Sequence, residues 1–502
     1  MKNISLIILL LLQVSLVKAQ NITDAVRYSS DNLDGTARFI SMGGAFGALG
    51  GDLSAIKLNP ASSSVFLTNQ AALTLNLAAY KNETNYMEGH NSYRNNDLDL
   101  SQAGMVFVYN NQNENATVSR LSFGITYDRI NNFRNRYKAV GRSNETVSDM
   151  FLSFAQGVPL DLFTPRSGEG LSGLYDYLGY ANEGFNNNRL QTAYLGYEGY
   201  LFDAEDPDDM GNTSYTSNVS GNTFDHFYEN YEKGTNGKVS FNGGIAFQDR
   251  FYLGLNLNSH IIDFRQNTFI NESIPGSSLI QEINFGNYLD TRGSGFSMQI
   301  GGIARVGNMV RVGLSYESPT WFRISEETNQ ILRTYHSEFG EVIVNPRVTN
   351  IYPSYSLRTP GRVNASVATI FGVSGLLSFD YSYKDFSNTK FTSSGFGSAN
   401  REISDRLRAV STFRAGGEYR IKNFSVRGGF RYEESPYKDN SIGNLRGYSA
   451  GLGYNFGGFQ IDLAYDWHKR NYNNDLLNTG FSNRAAVKNT MSNYVLTLVF
   501  PL

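Results

Sequence analysis

The 502-residue chain contains no cysteine. That absence removes thiol catalysis, Cys-ligated zinc and disulfide frameworks together. Charge is scarce, at 18% Asp, Glu, Lys and Arg, and balanced in sign, with 43 Lys+Arg against 46 Asp+Glu. The chain therefore offers neither a basic field for nucleic acid nor an acidic tail. Only one long apolar run occurs, Ile4 to Leu12, and the mean hydropathy of −0.34 excludes a bundle of spanning helices. What the chain does have is 34 Phe, 32 Tyr, 2 Trp and 50 Gly. Low charge with many aromatics argues against disorder. A polar average remains compatible with a membrane protein when only alternate residues face lipid.

Met1-Lys2-Asn3, the apolar run and Val17-Lys18-Ala19 together read as a secretory signal peptide over residues 1–19, cut before Gln20. The run is too short to span a bilayer as a helix. No cysteine follows the cleavage site, so no lipoprotein anchor is expected.

From about position 70 the chain alternates. Leu73, Leu75 and Leu77 are separated by Thr74 and Asn76. Leu121, Phe123, Ile125 and Tyr127 repeat the pattern, and so do Phe459, Ile461, Leu463, Tyr465 and Trp467. Period 2 means strands with one apolar and one polar face. Strands are predicted near 70–80, 99–110, 118–130, 237–248, 250–266, 293–306, 310–325, 358–371, 375–390, 408–421, 424–435, 445–457, 459–471 and 489–500. Short polar turns such as Gln248-Asp249-Arg250 and Gly457-Gly458 alternate with longer segments rich in Asn, Ser and Gly. No helical layer is in sight to cover the apolar set. The expected fold is all-β: a 14-stranded antiparallel transmembrane β-barrel of the outer membrane, residues 67–502, with the short turns periplasmic. A soluble β-sandwich or propeller is the alternative weighed against it.

The opposite parity should face the lumen, and it carries both signs: Arg311, Glu317, Asp380, Lys384, Arg414, Glu418, Arg427, Arg431, Asp462, Asp466 and His468. These charges read first as ion pairs bracing the wall. Arg311, Arg414, Arg427 and Arg431 are the candidate ligand contacts, as partners for a carboxylate. A lumen on the order of 15 Å across is too wide for side chains to fill. Residues 20–66 are the expected hatch, because they precede the first strand and lack alternation. Their glycine-rich stretch, including Gly43 and Gly44, permits close backbone approach, and Asn59-Pro60-Ala61 makes a rigid turn before the wall. No Lys-Ser/Thr follows the glycines, so a phosphate loop is rejected.

These residues resemble the N-terminal hatch of the long-chain fatty-acid transporter family (FadL/TodX type): Gly35-Thr36-Ala37-Arg38, Met42-Gly43-Gly44-Ala45, Gly51-Asp52-Leu53-Ser54-Ala55 and Asn59-Pro60-Ala61. Val312 to Pro319, Leu357-Arg358-Thr359-Pro360 and Arg427 to Pro436 resemble later strands of that family. The resemblance implies a monomeric uptake protein that needs no cofactor and is not an enzyme. A long-chain fatty acid or other hydrophobic molecule would be caught by outer loops, bound in the lumen, and released sideways into membrane lipid after the hatch shifts.

The segment 131–236 departs from that pattern by its length. Part of it, Asp149 to Tyr180, reads as helical and apolar and is a candidate capture groove, while Asp203 to Asp209 is an acidic patch that reads as a solvated tip or a calcium site. The segment also suggests an envelope protein partner, and with it a non-transporting scaffold or shuttle as the alternative function. A haem receptor is a weaker reading: His90, His226 and His336 are expected in loops, and no two histidines stand at ligand spacing.

Overall fold

The structure, a computed structural model, describes residues 22–502 apart from 114, 115, 182, 277, 478 and 480. The expected signal peptide lies outside the described residues. Fourteen strands make the wall: β1 Gln70–Tyr86, β2 Gly89–Asn110, β3 Val118–Asn132, β4 Phe224–Phe247, β5 Phe251–Ser273, β6 Ile280–Val306, β7 Val310–Glu317, β8 Arg362–Phe371, β9 Gly375–Asp385, β10 Ala409–Ile421, β11 Phe424–Glu433, β12 Leu445–Asn455, β13 Gln460–Asp475 and β14 Arg484–Pro501. Each pairs antiparallel with the next, and β14 closes on β1 from Gln70↔Pro501 to Asn85↔Ala486. Closure removes the unpaired edges that a lipid environment cannot satisfy.

Alternation does what the sequence requires. Leu463 is 51% exposed on the outside while its neighbours Asp462 and Ala464 are buried inside. Leu75, Leu77, Leu253, Leu255, Ile300, Leu452 and Leu496 are likewise exposed. A belt of large apolar side chains open to the surroundings belongs against acyl chains, so the chain is a transmembrane barrel of the outer-membrane kind. The short-turn rim is made by the tight connections between β4 and β5, β6 and β7, β8 and β9, β10 and β11, and β12 and β13. At the first of these Gln248 and Asp249 both take positive φ, the twist a two-residue hairpin turn needs.

The wall is uneven. β4, β5 and β6 run 24, 23 and 27 residues, whereas about 9–11 residues suffice to cross. They rise well beyond the apolar belt on the long-loop rim. The predicted strand 310–325 is interrupted: β7 ends at Glu317, and Trp321–His336 resumes against the upper part of β6. The predicted strand 358–371 is interrupted likewise, between Tyr355–Arg358 and β8. Pro319 and Pro360 sit in the two breaks and remove ladder donors there.

The predicted long loop 131–236 is not all loop. Asn135–Ser143 pairs with the upper part of β4, which starts at Phe224. Between them three helices, Ser148–Ala155, Leu171–Tyr180 and Asn187–Glu198, fold into a cap that shares one apolar cluster with the upper wall at Tyr86, Ile270 and Phe285. Met150, Leu160, Phe163, Leu174, Tyr175 and Leu178 are buried in that cluster, so most of the apolar set over 149–180 is packed away and only its end, at Tyr180, stays exposed. Inside the barrel, α1 Ile22–Ser29 sits in the upper lumen and α2 Ala37–Ser41 lies lower, followed by 3₁₀ turns Leu53–Ala55 and Pro60–Val65.

Candidate functional site

The lower lumen is filled by residues 36–66, held by their backbone. Asn59 caps the turn at Pro60, accepting from the Ala61 N–H at 3.1 Å, and its amide donates to the carbonyls of Gly47 (2.7 Å) and Gly302 (3.1 Å). Gln299 donates to the carbonyls of Lys57 and Leu58, and the Asp380 carboxylate accepts from the N–H groups of Phe46 and Gly47. Gly43 has φ +63°, and a Cβ there would lie 2.8 Å from the Phe430 carbonyl oxygen. Gly44, φ +78°, is equally confined by Leu33. Asn59, Pro60, Ala61, Gly43 and Gly44 thus all stand where this segment meets the wall.

Above it lies a cavity of about 90 Å³. Six cations line it, Lys57, Lys238, Arg362, Lys384, Arg414 and Arg431, against Asp31, Glu317 and Glu433. Arg362 pairs with Asp31 (2.9 Å) and Glu317 (2.5 Å), Lys384 with Asp31 (3.2 Å), and Lys238 with Glu317 (3.2 Å). Burial opposes the charge on Asp31, but Lys384 and Arg362 outweigh burial and hold its carboxyl well below the usual carboxylate range. Arg414 and Arg431 face each other across β10 and β11, and among the described residues neither has a carboxylate within ion-pair distance. Arg414 donates to Ser382 Oγ at 2.7 Å; Arg431 is 4% exposed and its Nε has no partner. Two adjacent buried guanidinium groups repel unless an anion sits between them.

The other two candidate arginines do different work. Arg427 pairs with Glu418 (2.6 Å) and Asp462 (2.5 Å), and Arg38 joins the same Glu418 at 2.8 Å. Arg311 donates to the Leu49 carbonyl at 2.7 Å. Both brace the lower segment and lie outside the cavity.

One seam in the wall is not closed by backbone. β2 and β3 pair from Gln102↔Asp128 to Asn110↔Arg120, and beyond that point no ladder is described. Ser101 is bulged out of register on β2, and the opposing ladder of β3 shifts at Ile130. Side chains stitch the gap. Arg129 reaches across to Asp99 (2.8 Å) and takes Asp34 of the lumen segment on two nitrogens, at 2.9 and 3.0 Å. Asp34 also accepts from Ser101 Oγ (2.6 Å), Gly35 N–H donates to Ser101, and Asn32 N–H donates to the Ile130 carbonyl. Residues 32–35 lie like a bolt behind the seam.

Apolar side chains connect these parts. A groove of about 800 Å³ on the long-loop rim is lined by Tyr180, Ile351, Tyr352, Tyr355 and Phe396. Tyr355 and Phe396 belong to the cluster that holds Ile22, Ala25 and Val26 of α1. Tyr28, Phe322, Phe386 and Val410 of that cluster line the cavity, and Ile130 of the cavity wall sits at the seam. The groove and the seam could not be found from the sequence, because both depend on register and loop packing.

The histidines are placed otherwise than expected. His226 and His336 are buried in strands rather than solvated in loops: His226 bonds Glu272 (2.8 Å) and Tyr86 (2.9 Å), and His336 stacks on Phe339. His90 is exposed on β2. Among the described residues no group of three His, Asp or Glu is set to hold a metal ion.

Solved structures share this architecture. A Pseudomonas aeruginosa FadL homologue aligns with TM-score 0.55 and 13% identity over 94% of this chain and 99% of its own. The monoaromatic hydrocarbon channel CymD gives 0.51 and 12% over 94% and 99%. This chain has the FadL-type fold. The Pseudomonas putida toluene transporter TodX aligns at 0.51 and 11% over 94% and 100%. No family model matches the sequence, and no curated protein does. At these identities the likeness carries the FadL-type barrel and leaves the ligand to be argued from the side chains.

Proposed function

We propose that this FadL-type barrel takes up a hydrophobic molecule with an acidic head, such as a long-chain fatty acid, and releases it sideways into the membrane. The long-loop rim faces outside and the short turns face the periplasm. The observation that carries this reading is the line of apolar side chains from the outer groove along α1 to a charged cavity, whose wall at Ile130 adjoins a seam stitched by side chains. Capture occurs in the groove at Tyr352 and Phe396. The acyl chain replaces the apolar face of α1, since both occupy the same cluster. The carboxylate settles between Arg414 and Arg431, whose charges it neutralises. When residues 32–35 withdraw, Arg129 loses Asp34 and the seam opens to lipid. Each CH₂ gains about 0.8 kcal/mol on entering the bilayer rather than the periplasm. Residues 36–66 remain as the hatch against polar solutes, and a downhill gradient suffices as driving force. The barrel works as a monomer, with membrane lipid as its product phase.

The named neighbours that carry toluene and monoaromatic hydrocarbons support hydrophobic cargo. The facing arginines favour an acid over a neutral hydrocarbon. The test is uptake of labelled oleate and of toluene by cells carrying wild-type protein or the double variant R414Q/R431Q. Oleate uptake is expected to fall about tenfold or more, as for loss of charge-assisted hydrogen bonds, with toluene unaffected. Equal effects on both cargoes remove the head-group role.

A second reading, a non-transporting scaffold, is supported by the cap, three helices packed in one apolar cluster with the upper wall. Unchanged oleate uptake on gene deletion, together with a stoichiometric envelope partner lost on removing residues 148–217, would favour it.

A further inference from the structure

The outer surface of the barrel carries a charge pattern that transport does not use. On the outward faces of five adjacent strands, one register row reads Arg94 on β2, Lys81 on β1, Thr490 on β14, Lys469 on β13 and Arg446 on β12. Four of the five positions are cationic. With strands about 4.8 Å apart, the row is a ribbon on the order of 20 Å long. It lies immediately above the lipid-facing belt: two residues further into the membrane stand Tyr448 and Trp467, with rings stacked 6.1 Å apart, and below them Tyr465 and Tyr494. Such aromatics mark the head-group level of a bilayer.

The row is short of anions. Lys81 shares Glu83 with Lys488, whose contact is 2.6 Å. Among the described residues Arg94, Lys469 and Arg446 have no carboxylate within ion-pair distance. The sector therefore sets six cations, Arg94, Lys81, Lys469, Arg446, Lys488 and Arg484, against Glu83 and Asp475, and Asp475 is taken up by Arg484. The opposite sector, above the belt on β5, β6 and Trp321–His336, is balanced: Arg265, Arg292 and Arg323 stand among Asp263, Asp290 and Glu327, with Arg265 bonded to Asp290 at 2.7 Å. Like charges directly opposite on a sheet repel, so the cationic row is costly unless something outside the protein neutralises it. At head-group depth and facing lipid, that neighbour is the lipid itself.

We propose that the row Arg94, Lys81, Lys469 and Arg446 binds the phosphate groups of a phosphorylated lipid in the outer leaflet. The side chains lie along the aromatic belt and present their charges where lipid phosphates sit, while the acyl chains run down over Tyr465, Tyr494 and the leucines beneath. Arg94 lies on the free edge of β2 beside the seam, so the bound lipid flanks that edge. The binding needs no particular cargo and stands whether or not the barrel transports one.

The test uses the whole purified barrel in micelles doped with diphosphoryl lipid A, with lipid bound per barrel read by native mass spectrometry. R446Q/K469Q should bind roughly 30-fold more weakly, from the usual contribution of each cation near an anionic lipid surface, and R94Q alone roughly fivefold. R265Q/R292Q in the balanced sector should bind like wild type. Excess inorganic phosphate should leave lipid A in place. All variants change outward-facing side chains, and heat-modifiable migration reports that they have assembled. Undiminished lipid A on R446Q/K469Q, displacement by inorganic phosphate, or loss of an acidic protein partner in place of lipid would each overturn the proposal.

Discussion

Residues 36–66 and residues 22–35 fill the same lumen by different physics. The lower segment has an apolar cluster around Phe39, Met42 and Phe46 and the Arg38–Glu418 pair, and in addition it is fixed by hydrogen bonds to its own backbone, from Asn59, Gln299, Ser315 and Asp380. Those bonds need one chain path and one register, and buried peptide groups deprived of them are expensive. The upper segment is held mainly by the apolar face of α1 and by side-chain ion pairs at Asp31 and Asp34, with fewer bonds to its backbone, from Lys384, Asn131, Ile130 and Ser101. Apolar contact is non-directional, and any greasy surface of similar area substitutes for another. The difference teaches which part can yield: a hydrophobic ligand competes with α1 on equal terms but cannot replace the bonds below. In the proposed uptake cycle the upper segment would therefore be the moving part and the lower one the stopper.

The largest expected effect breaks the seam. Arg129→Met leaves Asp34 buried without its partner, a loss of about 3–5 kcal/mol. Residues 32–35 should detach, amide exchange there should rise, and hydrophobic uptake should lose its dependence on ligand-driven release. Leakage of small polar solutes should stay low, because the lower segment is untouched. If leakage rises as much as uptake, the two segments are one unit and the comparison fails.

A smaller effect sharpens the other side. Gly43→Val places a branched side chain at positive φ against the Phe430 carbonyl, costing at least about 2 kcal/mol. Replacing Asn59-Pro60-Ala61 by a Gly-Ser segment removes the cap and its two carbonyl contacts, at about 1–2 kcal/mol. Both should raise polar leakage in liposome swelling, with oleate affinity retained. Val26→Ala acts oppositely: trimming α1 by about 1–2 kcal/mol should raise apparent ligand affinity, since the ligand has less to displace.

Legibility follows the same division. The belt strands could be read because lipid outside and a polar lumen inside give strict alternation, as in Leu463 beside Asp462. Asn59-Pro60-Ala61 and Gly43-Gly44 could be read because a turn and a close approach leave local marks. Above the belt the contrast disappears: outward Arg265 and Asn267 are as polar as inward Gln266 and Thr268, so the upper parts of β4, β5 and β6 passed for loop. The bulge at Ser101 inserts one residue and alternation resumes, which hides the seam. The cations Arg94, Lys81, Lys469 and Arg446 are scattered in sequence and meet only through register. Arg414 and Arg427 looked alike as inward arginines; what separates them is distance, since Arg427 reaches Glu418 and Asp462 within 2.6 Å whereas Asp380, opposite Arg414, turns to the N–H groups of Phe46 and Gly47.

The smallest effect concerns pH. Lys384 and Arg362 hold the Asp31 carboxyl below its ordinary value, so its contribution to seating the upper segment is full above the unfolded carboxylate pKa of about 3.9. That contribution is lost only as pH falls from there towards the depressed value of the folded state. Amide exchange over residues 22–31, relative to the intrinsic rate at each pH, should therefore be flat from neutral pH down to about pH 5 and rise only below about pH 4. Lys384→Met removes one of the two cations, so exchange over residues 22–31 should be faster already at neutral pH and its further rise in acid smaller, while exchange over residues 53–66, tied by backbone bonds, should stay unchanged in both proteins. A parallel rise in the lower segment would mean that the two segments loosen together and that their different chemistry does not separate their motion.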